Sequence, residues 1–370
     1  MSNNEGDHVS RRHFIRQSAA LGIGISGVSI PAFGQQADEG HTREGVVMSE
    51  NRRQLLTRFG LKYPIFQAAP GGEALAVAVA NSGAMGAISL TWDSPEQTFE
   101  LVSRMNKATK GNYYANYVLH FEPKTLDKAL EAGCPVIQFS WGIPNKSIVA
   151  RVRDAGAKLG IQVSSKRNAE KALALDPDFL ICQGLEAGGH VQATAALGAT
   201  LLEVLELAHD VPVVAAGGIS TGHDIRRVIN AGASGAVLGT RFMATQESDA
   251  HDIYKSSLLN AGEDSTAYTI CFNRDWNAAH RILRNSTFLD WEAEGCPDTG
   301  NKPREDDVVA DHPIFGPAKR YETVPPMQGH EGTPEEMAMY AGQGVSMVND
   351  LPTANDLIVR LWNEFENPQA

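Results

Sequence analysis

Three features that mark other classes of protein are scarce in this sequence of 370 residues. It has four cysteines, with no CxxC motif and no Cys/His spacing typical of a metal site, so no metal is predicted. Its most apolar early stretch, residues 19–33, contains three glycines and two serines and is too short for a membrane-spanning helix, which needs about 20 apolar residues. Basic residues are fewer than acidic ones, and the net charge of −12 argues against a protein that binds nucleic acid by neutralising its phosphates. A small-molecule substrate is therefore expected, with no nucleic acid and no membrane as partner of the mature chain.

The four cysteines fall into two kinds of surroundings. Cys134 and Cys182 lie in apolar, strand-like runs and are expected to pack as small hydrophobic residues. Cys271 and Cys296 lie in one loop-rich segment and are candidates for a disulfide, which the sequence alone does not decide.

The amino terminus carries an arginine pair ahead of a weakly apolar stretch, Ser10-Arg11-Arg12-His13-Phe14. This pattern resembles a twin-arginine export signal, so residues 1–36 are interpreted as a signal peptide with cleavage after Pro31. Export to the periplasm is the predicted location. A disordered basic terminus is the alternative.

Short apolar runs alternate with helical stretches from residue 62 onwards. Eight strands are predicted, at residues 64–67, 85–89, 113–118, 135–139, 158–163, 179–182, 211–215 and 235–238, and helices at 72–82, 95–107, 123–132, 146–155, 166–175, 195–209 and 221–231. Runs such as Val211-Pro212-Val213-Val214-Ala215 suit strands that are buried on both faces. Eight such units predict an α/β fold, a TIM-type (β/α)₈ barrel over residues 52–245. Residues 246–333 are predicted to form an irregular excursion over the barrel mouth, and residues 334–370 two closing helices at 334–341 and 353–366.

Two glycine-bearing loops follow the last two strands of the predicted barrel. Gly217 and Gly218 follow the seventh strand, and Gly239 and Thr240 follow the eighth. Glycine lets backbone N–H groups approach an anion closely, and loops after strands 7 and 8 are the usual phosphate site of this architecture. Tight βα turns without a ligand are the alternative interpretation.

A third loop, after the sixth strand, carries a histidine. Gln183 has an amide that both donates and accepts hydrogen bonds, which suits the edge of a heterocycle. Gly188 and Gly189 allow a close approach, and His190 follows them with a side chain suited to proton transfer. His190 is the predicted catalytic acid or base. Trp92, His120 and Trp141 stand just beyond three other strands and are expected either to line the pocket or to pack as ordinary loop residues.

These segments, together with Ala341-Gly342-Gln343-Gly344, resemble the nitronate monooxygenase family, formerly called 2-nitropropane dioxygenases and related to flavin-dependent enoyl-acyl-carrier-protein reductases. The resemblance implies FMN bound by Asn116, Gln183, Gly188, Gly218, Gly239 and Thr240. It also implies that His190 deprotonates a nitroalkane or anchors its nitronate. The chain departs from the family pattern after the first strand, where it reads Gln67-Ala68-Ala69-Pro70, and at Gln192, where glycine is usual.

The resemblance implies FMN-dependent oxidation of alkyl nitronates or nitroalkanes by O₂ to a carbonyl compound and nitrite. A reductase that passes hydride from NAD(P)H through FMN to an enone, enoyl thioester or quinone is the second hypothesis, and an exported flavin carrier the third. The sequence leaves a homodimer open.

Overall fold

The computed structural model describes residues 48–369. The predicted signal peptide, residues 1–36, lies outside the described residues. Within residues 48–369, no helix is both long and apolar enough to span a membrane.

Eight parallel strands form the centre of the molecule, as predicted. They are β1 (Ile65–Gln67), β2 (Gly86–Ser89), β3 (Tyr113–Val118), β4 (Val136–Ser140), β5 (Lys158–Val163), β6 (Phe179–Gln183), β8 (Val213–Ala216) and β9 (Gly235–Leu238). The short strand β7 (Gly189–His190) belongs to another sheet. They pair in the order β1-β9-β8-β6-β5-β4-β3-β2. The first and last strands of this order meet through the Gln67 N–H, which donates to the Met85 carbonyl at 2.9 Å, and a parallel bridge at Phe66. The sheet is therefore a closed (β/α)₈ barrel, and each predicted strand lies within two residues of its observed bounds.

Helices follow most strands and cover the outside of the barrel. They are α1 (Glu50–Phe59), α2 (Gly72–Asn81), α3 (Pro95–Ala108), α4 (Leu126–Glu131), α5 (Lys146–Asp154), α6 (Lys166–Leu173), α7 (Leu197–Ala208), α8 (Gly222–Asn230) and α9 (Thr240–Met243). The start of α3 is fixed by a capping box, in which Ser94 accepts from the Gln97 N–H and the Gln97 side chain accepts from the Ser94 N–H. Helix α1 was not predicted from the sequence.

The amino-terminal end of the barrel is filled by aromatic and aliphatic side chains. Leu55 and Phe59 of α1 pack with Phe66 and Phe179, which point inward from the strands. Burying each such side chain contributes about 1.5–3 kcal/mol, so this end is closed by apolar packing. In this architecture the active site lies at the opposite end, where the carboxyl termini of the strands are.

The segment after the barrel has more regular structure than its composition indicates. It holds α10 (Asp252–Leu259), β10 (Thr266–Thr269), β11 (His280–Leu283), α11 (Ser286–Ala293), β12 (Val308–His312), β13 (Gly316–Lys319) and β14 (Glu331–Gly332). Two three-stranded antiparallel sheets result, β13-β12-β14 and β10-β11-β7, where β7 is Gly189–His190. The expectation of irregular structure missed these strands because each is short and is stabilised by a partner distant in sequence.

The end of the chain contains one of its two predicted helices. Residues 334–341 form only a 3₁₀ turn, Pro334–Glu336, and the helix predicted there is wrong. The backbone becomes extended at Met337. The Met339 carbonyl then accepts a hydrogen bond from the Leu283 N–H of β11 at 2.7 Å, so pairing with β11 replaces the hydrogen bonds of a helix. A second 3₁₀ turn, Gln343–Met347, precedes α12 (Ala354–Glu366), which was predicted correctly.

All four cysteines are free thiols in this structure. Cys134 and Cys182 are buried among apolar side chains, as predicted. Cys271 is buried and Cys296 is exposed, and the two are not joined.

Candidate active site

His190 lies over the carboxyl-terminal end of the barrel, in a strand and not in the loop that the sequence indicated. The two residues of β7 pair antiparallel with β11, so that Gly189 faces Arg281 and His190 faces His280. The Val191 N–H continues the ladder by donating to the Ala279 carbonyl at 2.9 Å. Residues distant in sequence therefore fix the backbone of the candidate catalytic residue.

The imidazole of His190 is largely buried, and its hydrogen-bonding capacity is not fully used. Its Nε2 atom is buried and has no hydrogen-bond partner among the described residues. Burial, and to a smaller extent the neighbouring His280, lower the pKa of His190 to about 3. The ring is therefore neutral at physiological pH, with a polar atom left for a ligand.

His280, unlike His190, has a hydrogen-bond partner at both ring nitrogens. Its Nε2 accepts from the Phe272 N–H at 3.2 Å, which requires the proton to be on Nδ1, where it is donated to the Ala278 carbonyl at 2.9 Å. Burial lowers its pKa to about 4. Its ring lies 5.6 Å from that of His190, so His280 acts as a neutral, fixed support and not as a second acid.

A chain of side-chain amides runs along the strand ends beneath His190. Gln183 is held at both ends, because its Nε2 donates to the His190 carbonyl at 3.2 Å and its Oε1 accepts from the Gln192 N–H at 2.8 Å. The Gln192 Oε1 in turn accepts from the Gln162 amide and from the Trp141 N–H, both at 3.0 Å. Gln192, which departs from the family pattern, is thus an integral part of this network.

Trp141 has a strained backbone. Its φ is +56°, in the left-handed region that bulky residues rarely adopt. The bond from its N–H to Gln192 helps to hold this conformation, and the indole lies edge-on to His190, with ring centroids 6.2 Å apart. Such strain is commonly kept where it positions a side chain in a site.

Asn116 lies on β3 and is bonded to polar side chains of the neighbouring strand β4. Its Nδ2 donates to Gln138 Oε1 at 2.5 Å and to Ser140 Oγ at 3.1 Å. These bonds orient its carbonyl oxygen as an acceptor at the strand end.

The glycine loops after β8 and β9 form a cradle whose backbone favours glycine at Gly217 and Gly218. Gly217 and Gly218 both have positive φ, +129° and +67°. A Cβ at Gly218 would lie 3.0 Å from the Glu186 Cβ, and one at Gly239 would lie 3.4 Å from the Ala68 Cβ. Backbone amides are thus presented at close range, which fits a phosphate group.

The other glycine positions divide into two kinds. A Cβ at Gly188 would lie 2.5 Å from the Gly342 nitrogen, so this glycine allows two chain segments to touch. The Gly342 N–H also donates to Thr240 Oγ1 at 2.9 Å, which ties the Ala341-Gly342-Gln343-Gly344 segment to the loop after β9. Gly189 has φ of +74° and open space where a side chain would be.

Two site residues were missed by the sequence analysis. Trp276 stacks on His190, with ring centroids 4.0 Å apart and planes inclined by 27°, and Tyr340 lies 5.4 Å from the same imidazole. Both come from beyond the barrel, where neither periodicity nor a motif signalled them. His120 and Trp141, which the sequence did single out, also contact Trp276.

The arrangement fits a planar, phosphate-bearing cofactor better than a metal. It combines a glycine cradle, amides at the strand ends and an unpartnered buried imidazole nitrogen. Over residues 48–369, the acidic, histidine and cysteine side chains form no cluster able to hold a metal ion.

The chain is similar to known proteins over most of its length. The model of the family described as "Nitronate monooxygenase" matches residues 107–364. A nitronate monooxygenase of Pseudomonas aeruginosa is 26% identical over 346 residues, covering 80% of this chain and 94% of its own length. A probable nitronate monooxygenase of Staphylococcus aureus is 26% identical over 278 residues, covering 60% of this chain and 76% of its own.

Solved structures share the same fold. A nitroalkane oxidase from Streptomyces ansochromogenes superimposes with a TM-score of 0.67 at 25% identity, covering 84% of this chain and 97% of its own. FabK from Thermotoga maritima gives a TM-score of 0.71 at 22% identity, covering 85% and 96%, a likeness of fold alone. The family match extends over most of the described chain and includes the glycine loops and His190. This protein therefore belongs to the nitronate monooxygenase family, whose members are flavin-dependent oxidoreductases.

Proposed function

We propose that this protein is an FMN-dependent nitronate monooxygenase, which oxidises alkyl nitronates or nitroalkanes with O₂ to a carbonyl compound and nitrite. The observation that carries the proposal is the buried, unpartnered Nε2 of His190 at the carboxyl end of a barrel with a glycine cradle. FMN, when bound, supplies the redox chemistry, by accepting electrons from the substrate and returning them to O₂.

The residues proposed to hold FMN lie at the carboxyl-terminal side of the barrel, on the adjacent strands β6, β8 and β9 and on β3, which is separated from β6 by β5 and β4. Gly217, Gly218, Gly239 and Thr240 would bind the phosphate through backbone N–H groups. Gln183, Asn116, Gly188 and Gly189 would lie nearer the ring system, since they are set on β6, β3 and the loop that leads to His190. The monophosphate is proposed because the cradle comes from two adjacent loops and serves one phosphate group.

His190 would bind the nitro group of the substrate. As a neutral imidazole it can donate a hydrogen bond to a nitronate oxygen without a change of charge. Deprotonation of a neutral nitroalkane would instead create an imidazolium in an enclosed place that lowers its pKa to about 3. Preformed nitronates are therefore proposed as better substrates than neutral nitroalkanes.

Anaerobic spectroscopy of the purified mature protein tests this proposal. The flavin bands should bleach on addition of ethylnitronate and recover with O₂, with nitrite as a product. Bleaching by NADH and not by ethylnitronate would replace the proposal with the reductase. A purified protein that neither contains nor binds flavin would overturn both.

We also propose that the protein is exported through its twin-arginine signal. The support is the Arg11-Arg12 pair ahead of a weakly apolar stretch. Replacement of both arginines by lysine should retain the protein in the cytoplasmic fraction, while an unchanged distribution between fractions would refute export by this route.

A further inference from the structure

A continuous line of aromatic rings leads from the surface to His190. Trp92 is 64% exposed and contacts Phe121, with ring centroids 5.8 Å apart. Phe121 contacts Trp276 at 5.4 Å, and Trp276 stacks on His190 at 4.0 Å. The rings therefore form one continuous packed cluster between the surface and the candidate catalytic group.

Further rings flank this line on both sides. Trp141 lies edge-on to Trp276 at 4.9 Å, His120 stacks on Trp276 at 5.6 Å, and Tyr340 lies 5.4 Å from His190. We call the six rings Trp92, His120, Phe121, Trp141, Trp276 and Tyr340 the aromatic wall. They come from the ends of β2, β3 and β4 and from two places beyond the barrel. Ordinary packing within one loop does not account for rings gathered from five separate segments.

Two charged side chains near the aromatic wall, Arg281 and Asp275, make hydrogen bonds to groups outside it. Arg281 follows His280 in β11 and so points to the opposite face, where it donates to the Leu185 carbonyl at 2.9 Å. The Asp275 carboxylate accepts from the Thr323 N–H at 2.8 Å.

We propose that the aromatic wall determines specificity, by selecting nitronates whose non-reacting end is a flat aromatic group over those that carry a second anionic group. This inference rests on the proposed nitronate oxidation and narrows its substrate class. Trp276 is 6% exposed and acts as the positioning residue of the wall, because it contacts His190, His120, Phe121 and Trp141 and so holds the more exposed rings in place around the site.

The physical basis is the difference between an aryl group and a carboxylate in the same place. A favourable pair of aromatic rings strengthens binding by up to about 10-fold beyond the burial of its area. A carboxylate would lose its hydration against ring surfaces and gain no cation in return. Ethylnitronate, with neither group, should fall between the two.

Steady-state kinetics with three preformed nitronates tests this inference. The substrates are the anion of phenylnitromethane, ethylnitronate and the dianion of 3-nitropropionate. We expect kcat/KM for the phenyl compound to exceed that for ethylnitronate by about 10-fold, as one added ring contact predicts, and the dianion to be the poorest substrate.

Variants of Trp276 locate the effect. Trp276→Leu should bring the ratio of phenyl to ethyl kcat/KM close to one, whereas Trp276→Phe, which keeps a ring, should retain most of it. Trp362→Leu is the matched control. This tryptophan lies on the last helix, α12, and packs on Tyr63 and Phe365, not on the aromatic wall. The control variant should keep the wild-type ratio.

Calorimetric titration with nitrobenzene gives a readout that does not depend on turnover. Nitrobenzene has no hydrogen on the carbon bearing the nitro group and forms no nitronate. Its Kd should rise about 10-fold in Trp276→Leu and stay unchanged in Trp362→Leu.

The outcomes separate this inference from the function on which it rests. Absence of flavin bleaching with all three nitronates would remove the proposed function itself. Bleaching by all three, with a wild-type enzyme that prefers ethylnitronate or the dianion, would overturn the aromatic specificity and leave the function standing. The wild-type comparison decides this even if a Trp276 variant does not fold.

Discussion

The imidazole of His190 and the indole of Trp276 lie face to face, with centroids 4.0 Å apart and planes inclined by 27°. His190 lies in β7, the short strand that follows the sixth barrel strand, and Trp276 lies 86 residues further along the chain. The barrel thus supplies the polar atom, and the segment beyond the barrel supplies the surface that encloses it. Burial of the imidazole, to which this stack contributes, lowers the pKa of His190 and keeps the ring neutral, and the first predictions below follow from that burial.

Replacement of His190 by Asn should abolish most activity without loss of flavin. The amide keeps polarity but cannot place a hydrogen bond at the position of Nε2, so we expect kcat/KM for nitronates to fall about 100-fold or more. The flavin spectrum should be unchanged. His223→Asn, at an exposed histidine on α8, is the control and should behave as wild type. Full activity in His190→Asn would eliminate His190 as the catalytic group.

The pH profile should lack the usual titration of a histidine. Because burial lowers the pKa of His190 to about 3, the ring stays neutral from pH 5 to pH 8. We therefore expect kcat/KM for a preformed nitronate to be flat over that range. The measurement is a rate profile in buffers of constant ionic strength, and an inflection near pH 6.5 would contradict the prediction.

Folding stability should decline as the solution is acidified. His190 and His280 have folded-state pKa values of about 3 and 4, below the ordinary 6.5, so the unfolded chain binds more protons between these limits. The contribution of the two neutral histidines to stability is fully present above pH 6.5. Below that pH the free energy of unfolding falls by about 1.4 kcal/mol per pH unit for each histidine. Urea unfolding at pH 7, 6 and 5 measures this. A free energy of unfolding that is constant over this range would refute it.

Gln192 should support the site through the backbone of Trp141. Gln192→Met keeps the size but removes the acceptor of the Trp141 N–H, which should cost about 1–2 kcal/mol of stability and raise KM more than it lowers kcat. Gln192→Glu retains an acceptor and should restore KM. Equal KM values in both variants would show that the hydrogen bond does not position Trp141.

The glycine cradle should be required for flavin binding. Gly218→Ala places a methyl group 3.0 Å from the Glu186 Cβ at a φ of +67°, so we expect the protein to be purified with little flavin. Gly156→Ala is a matched control, with a φ of +75° but nothing within 4 Å of the new methyl group. Both should lose about 1 kcal/mol of stability from the backbone strain. Only Gly218→Ala should lose the absorbance at flavin wavelengths, and equal retention in both would remove Gly218 from the cofactor site.

The amino-acid sequence by itself determined the barrel. Buried parallel strands read as continuous apolar runs, and regular spacing of such runs allows few architectures, so the eight strands were located to within two residues. It also singled out the glycine loops and His190 as candidates for the site, because backbone geometry and proton transfer each demand particular residue types. It overlooked α1 and wrongly extended a helix across residues 334–341, where local propensity competes with strand pairing.

Only the tertiary structure decided what surrounds His190. The antiparallel pairing of His190 with His280, the bond from Trp141 to Gln192 and the stack on Trp276 join segments distant in sequence. Such contacts have no local period, since each short strand gains its hydrogen bonds from a remote partner. The sequence thus specifies a reactive group by its type, whereas its neutral charge state and its aromatic surroundings arise when the chain beyond the barrel folds back over the strand ends.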